Sequence, residues 1–176
     1  AARVALEKQP VANWKKKLLP ETNPVIASAA MIALARADGK SSSDVLTKAM
    51  SLNYRTEKSW QQRIDLLRSI TLALTRGGEP QAEQKKKLIA WLDRIYPAST
   101  PEENRDLSAI MQFLQAPSAA RKGMALLRGA SGQEEQIGYA LNLRHLKSGW
   151  TSLLRESYFK WFARAGNFKG GARLSN

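Results

Sequence analysis

The stretch WQQRIDLLRSITLAL, residues 60–74, places Trp60, Ile64, Leu67, Ile70 and Leu74 at steps of three and four. That spacing returns to one side of an α-helix at every turn and predicts a buried helical face. Arg63, Asp65 and Arg68 fall mainly off the stripe. The same pattern recurs at Leu88, Trp91, Leu92 and Ile95, and again at Leu107, Ile110, Met111 and Leu114. It returns a last time at Ile137, Ala140, Leu141 and Arg144. Ala, Leu, Lys, Arg, Glu and Gln dominate the chain, β-branched runs are nearly missing, and no segment alternates apolar with polar residues. The composition and the period together predict an all-α protein with essentially no sheet.

Capping chemistry supplies the boundaries. Asn23-Pro24 reads as a cap followed by a first helical residue that needs no amide donor. Thr100-Pro101-Glu102-Glu103 has the spacing of a capping box, in which Thr100 accepts from the third helical amide and Glu103 reaches back. Ser131-Gly132-Gln133-Glu134 has the same spacing, and Pro117 is expected to open a further helix. Gly39, Gly77-Gly78, Gly129 and Gly149 mark helix ends, as does Pro97 after Tyr96. Helices are therefore expected near 3–19, 24–37, 42–52, 57–76, 80–96, 101–115, 118–128, 132–148 and 151–165. Short connections favour antiparallel neighbours. Two helices with their turns occupy about 40 residues, close to the HEAT and armadillo period. The expected architecture is a HEAT/armadillo-like α-solenoid of about four helical hairpins over residues 1–165. An irregular helical bundle is the plainer alternative. Residues 166–176, Gly-rich and without periodicity, are expected to form a mobile tail at a boundary inside a longer protein. Trp60, Trp91, Leu114, Leu141, Trp150 and Trp161 are the residues expected to carry the core.

At 176 residues and 43% hydrophobic, the chain has the size and apolar content of roughly one folded domain. It has no cysteine, which excludes disulfides, thiolate nucleophiles and Cys-based zinc or haem sites. Its single histidine, His145, leaves no His-rich metal site and gives a nucleophile–histidine pair little to draw on. No apolar run reaches the roughly 18 residues of a membrane span. The N-terminus AARVALEKQP lacks the apolar stretch of a signal peptide, so if the protein is exported its signal lies upstream. Glu102-Glu103 and Glu134-Glu135 lie in first helical turns, where negative charge complements the helix dipole. An enzyme would need a pocket joining His145 to Glu134 or Glu135, and no catalytic or phosphate-binding motif supports one. No catalytic residue, cofactor or metal is expected.

The net charge is +13, from 28 Lys and Arg against 15 Asp and Glu. Nucleic acid, an anionic surface or an acidic protein would each suit that balance, and so would charge kept for solubility. The candidate anion contacts are Lys15, Lys16 and Lys17 beside Trp14, then Lys85, Lys86 and Lys87 before Trp91, then Arg144 and Lys147. Three consecutive lysines on a helix point in different directions, so each triplet also fits a solvated surface. Trp150, Leu154, Tyr158 and Trp161 share one face of the last helix, widened by Leu153 and Phe162. Trp150, Tyr158, Trp161 and Phe162 are candidate interface aromatics, with core packing as the plainer reading.

Three strings add a resemblance. NRDLSAIMQFLQAP at 104–117, QEEQIGYALNLRHLKSGWT at 133–151 and YFKWFARAGNFKGGA at 158–172, preceded by IYPA at 95–98, resemble the HEAT-like helical region of large exported proteins of planctomycete and verrucomicrobial bacteria. Such proteins combine a sugar-dehydrogenase-like propeller, HEAT-like repeats and a c-type cytochrome domain. The resemblance covers roughly 90–172 and identifies no catalytic residue. It implies a non-catalytic scaffold or protein-interaction module of an exported, periplasmic or extracellular, protein. Its partners would be neighbouring domains or another protein. Haem attachment needs C-x-x-C-H, which this cysteine-free chain lacks, so such activity would lie outside this segment. The competing expectation is a basic HEAT-like module that binds nucleic acid through the phosphate backbone.

Overall fold

The computed structural model describes residues 2–18, 20–54 and 59–168. Among these residues the protein is all-helical, with no strand. Two compact units divide the chain, Ala1–Leu114 and Gln115–Asn176.

The first unit contains α1 (Ala2–Glu7), α2 (Lys15–Leu18), α3 (Pro24–Ala37), α4 (Ser42–Ser51), α5 (Trp60–Gly77), α6 (Ala82–Asp93) and α7 (Pro101–Phe113). Single 3₁₀ turns occupy Val11–Asn13 and Gly39–Ser41. The helix expected over 3–19 is interrupted after Glu7. Pro10 explains the break, because it lacks an amide proton and its ring would clash with the preceding turn. Asn23 caps α3 as its sequence promised, with Oδ1 accepting from Val25 N at 3.0 Å. Every residue of α3 from Ala30 to Ala35 is buried, and the many alanines allow close approach of α1, α4 and α5.

The stripe of α5 forms the middle of this unit. Ile64, Leu67, Ile70 and Leu74 are buried, and the helix packs on α3, α4 and α7. Trp60 is the exception and is 47% exposed. It is the first residue of the helix, and helical side chains lean toward the N-terminus, so its indole projects past the end of the packed face. Ser59 and Gln62 make a reciprocal capping box there.

The second unit contains α8 (Ala119–Gly129), α9 (Gln133–Arg144) and α10 (Ser152–Ala165). Pro117 lies in a turn ahead of α8 and does not open the helix. Gly132, not Ser131, occupies the cap of α9, without a side-chain hydrogen bond. The expected 132–148 helix ends at Arg144, where His145 N and Leu146 N tighten onto Asn142 O and Leu143 O. Leu141, expected in the core, is 49% exposed. The buried face of α9 runs through Tyr139, Ala140 and Leu143, and two residues of helix turn Leu141 about 200° from Tyr139. Leu114 and Trp161 are buried as expected, whereas Trp91 and Trp150 are half-buried. Helix α10 ends at Ala165, and 169–176 of the expected tail lie outside the described residues.

Gln115 ties one turn of this unit together. Its φ of 53° is left-handed, an unusual state for a residue with a side chain. Its Nε2 donates to His145 O at 3.1 Å, while its Oε1 accepts from Lys147 N at 2.7 Å. Ser148 Oγ donates to Gln115 O at 2.7 Å. Gly149 completes the contact at φ 74°, where a Cβ would stand 2.1 Å from Pro117 O.

Candidate functional site

The strongest gathering of polar side chains lies in the first unit, between the segment after α4, the first turn of α5 and the start of α7. Glu103 is the third residue of α7 and is 1% exposed. Its Oε1 accepts from Tyr54 Oη at 2.6 Å and from Arg63 Nε at 2.6 Å. Its Oε2 accepts from Arg63 Nη2 at 3.2 Å and from Thr100 Oγ1 at 2.7 Å. A carboxylate offers about four acceptor positions, and all are taken. Thr100 Oγ1 also accepts from Glu103 N at 3.3 Å, so the expected cap is present. The reciprocal half is not: Glu103 turns inward to an arginine and a phenol instead of back to the cap amide. A charge-assisted pair with Arg63 is worth more than a bond to an exposed amide.

Burial by itself would raise the Glu103 carboxyl. The hydrogen bonds from Arg63, Tyr54 and Thr100 outweigh it and hold the group below its ordinary value. Burial, then the hydrogen bond to Glu103, push the Tyr54 phenol up. The bond to Glu103 raises Arg63 against a smaller effect of burial. At neutral pH the cluster is an ion pair braced by a neutral phenol. Neither carboxylate nor phenol is tuned to exchange a proton there.

Two cavities adjoin this cluster. One of about 290 Å³ is lined by Tyr54, Arg63, Arg94, Pro97, Ser99 and Glu103. The other, about 710 Å³, shares Tyr54, Arg94 and Ile95 and is walled by Trp91. The Trp91 ring meets Tyr54 edge-on at 6.1 Å. Asn104 fixes the rim: its Nδ2 donates to Ala98 O at 3.0 Å and its Oδ1 accepts from Ala98 N at 2.6 Å. Among the described residues no group of His, Asp and Glu has the arrangement to hold a metal.

None of Tyr54, Arg63 and Asn104 is among the site residues expected from the sequence. Arg63 lies off the apolar stripe, which reads as solvent exposure until α7 is placed against α5. Pairing over 40 and 49 residues leaves no local signal.

The basic candidates separate into held and exposed groups. Lys15 Nζ pairs with Asp44 at 2.6 Å and donates to Ser41 Oγ at 2.8 Å, while Lys16 and Lys17 are exposed. Lys85 pairs with Glu79, while Lys86 and Lys87 are exposed. Both triplets border α4: Lys15 through Asp44, and the second through Gln84, whose Nε2 donates to Ser43 O at 2.8 Å and Thr47 Oγ1 at 3.0 Å. Arg144 and Lys147 are exposed in the second unit, with Arg144 Nη2 3.1 Å from Nε2 of the exposed His145. Glu135 accepts from Tyr139 Oη at 3.0 Å.

Of the aromatic candidates, Tyr158 and Trp161 are buried and Trp150 is half-buried. Their polar atoms find partners, Tyr158 Oη donating to Ala140 O at 2.8 Å and Trp161 Nε1 to Gln136 Oε1 at 2.9 Å. Trp150 Nε1 donates to Leu146 O at 2.8 Å. Phe162 faces outward and is 47% exposed.

Comparison with family models, with curated proteins and with solved structures finds no match. What these observations define is a class, an all-α protein with a buried ion-pair clamp in its first unit.

Proposed function

We propose that the chain is a non-catalytic, HEAT-like helical scaffold, a protein-interaction module of a larger exported protein. The observation that carries this reading is Glu103. This 1% exposed carboxylate spends all its acceptors on joining three segments of its own unit. Residues used in this way fix the spacing of helices, which is what a scaffold requires. Apolar side chains left on the surface, among them Val25, Ile26 and Phe113, are available for contact with a neighbouring domain or protein. Hydrogen–deuterium exchange tests it, comparing the isolated chain with the chain inside its longer protein. Segments around Val25, Ile26 or Phe113 gain protection in the longer protein. Identical exchange everywhere would overturn the reading.

A second reading is favoured by the placement of both lysine triplets beside α4. An extended polyanion such as nucleic acid could contact Lys16 and Lys17 on one side and Lys86 and Lys87 on the other. Fluorescence anisotropy with labelled DNA, at about 50 and 200 mM salt, tests it. Binding that falls steeply with salt and weakens roughly tenfold in K16Q/K17Q/K86Q/K87Q supports it. Equal binding by the variant, or none by the natural chain, removes it.

A further inference from the structure

We propose that α10 docks the second unit onto an anionic lipid surface. This goes beyond the scaffold reading and does not depend on it. The inward side of α10 is committed to packing through Tyr158 and Trp161. Yet nine of its fourteen residues are exposed, so the helix forms a ridge. On that ridge Leu153 is 76% exposed, Phe159 67% and Phe162 47%. Arg155, Phe159 and Phe162 follow one another at i, i+4 and i+7, a single stripe of one cation and two rings. Leu153, Lys160 and Arg164, at i, i+7 and i+11, lie on the other flank of the helix, about 150° around from that stripe.

The rings are held ready for contact. Phe162 meets Tyr158 at 5.0 Å and Trp161 at 5.1 Å, both edge-to-face. Two buried aromatics therefore brace it from beneath, and little ordering remains to be done on binding. Phe159 stands 6.1 Å from the same Tyr158.

Charge chooses the occupant. Lys160 is paired with Glu156 at 2.6 Å, but among the described residues no carboxylate pairs with Arg155 or Arg164. From residue 115 onward the sequence has ten Lys and Arg and three Glu. A second copy would bring the same positive charge against this ridge, so the occupant is anionic. A protein partner typically centres its energy on side chains seated in pockets. A stripe of two exposed rings with Arg155 instead matches the headgroup boundary of a bilayer, where rings enter the acyl edge and a cation meets lipid phosphate.

The test is co-sedimentation of the whole chain with vesicles of phosphatidylcholine alone or with roughly 30% phosphatidylglycerol, in low salt. The chain partitions onto the anionic vesicles and not the neutral ones. F159A/F162A lowers partitioning at least tenfold and R155Q several-fold, while F113A, an exposed phenylalanine of the first unit, leaves it unchanged. Phe113, Arg155, Phe159 and Phe162 are exposed, so circular dichroism of the variants should match the natural chain. Absence of binding to anionic vesicles overturns the proposal. So does binding indifferent to F159A/F162A, which would reduce it to diffuse charge. Two further results reassign the ridge and also overturn it. One is a phenylalanine-dependent dimer in solution. The other is phenylalanine-dependent capture of soluble polyglutamate as tight as capture of the vesicles, which indicates an acidic protein.

Discussion

Glu103 can be buried because four donors replace the water it gives up. Removing it takes the carboxylate from Arg63, whose side chain is only 18% exposed, and the acceptor from the Tyr54 hydroxyl. Glu103→Ala is expected to cost about 3 kcal/mol in urea unfolding followed by circular dichroism. Acid provides an independent check. A carboxyl held below its ordinary 4.5 contributes stability that is full above that value and is lost as pH falls through the lowered one. Glu103→Gln does not titrate. The stability gap between the natural chain and Glu103→Gln should therefore be widest near neutral pH and shrink below about pH 4. A gap constant from pH 3 to 7 would show that the charge contributes nothing. Gly149 is a second point of local constraint. Gly149→Ala places a methyl group against Pro117 O in a left-handed backbone and should cost more than about 1 kcal/mol. Gly138, inside α9 with open space around it, is the control, and Gly138→Ala should stabilise by about 0.5–1 kcal/mol. Similar effects at both positions would remove the steric argument.

At the scale of the element, position along a helix decides what a tryptophan is worth. Trp161 is 4% exposed in the third turn of α10, ringed by Phe162 and Phe168 and bonded to Gln136. Trp60 begins α5 and is 47% exposed. Trp161→Ala should cost about 3–5 kcal/mol, and Trp60→Ala less than about 1 kcal/mol, in equilibrium unfolding. Comparable losses would mean that Trp60 packs against something in solution. The first turn of α7 follows the same logic. Pro101 and the Thr100 cap start the helix, and that start brings Glu103 to the interior, where it meets the Thr100 hydroxyl and not the cap amide.

For the whole molecule, charge opposes folding. A net +13 on one folded chain repels itself, and salt screens that repulsion over about a Debye length. The local pairs, Lys15–Asp44, Lys85–Glu79 and Lys160–Glu156, each have at least one exposed partner and lose little that matters when screened. The Arg63–Glu103 pair is shielded by burial. Raising NaCl from about 20 to 200 mM should therefore raise the melting temperature by a few degrees. A falling melting temperature would show that exposed ion pairs outweigh the repulsion.

The sequence by itself determined that the protein is helical, and it determined most helix boundaries, because period, caps and prolines act over three or four residues. Asn23, Thr100 and the stripe of α5 were readable in this way. Pro10 was equally readable, and it divides what periodicity joined into one helix. Only the tertiary structure decided which apolar residues are inside. Trp60 and Leu141 fit local stripes, but burial depends on whether a neighbour lies over that part of the helix. The Tyr54–Arg63–Glu103 clamp was likewise decided by packing. Its members come from three segments, each with a sufficient local explanation of its own. Only their approach in space turns a capping glutamate and an off-stripe arginine into a buried ion pair. The outward ridge of α10 has the same origin: one aromatic helix was evident, but its buried rings could be told from its exposed ones only once its inward face was fixed.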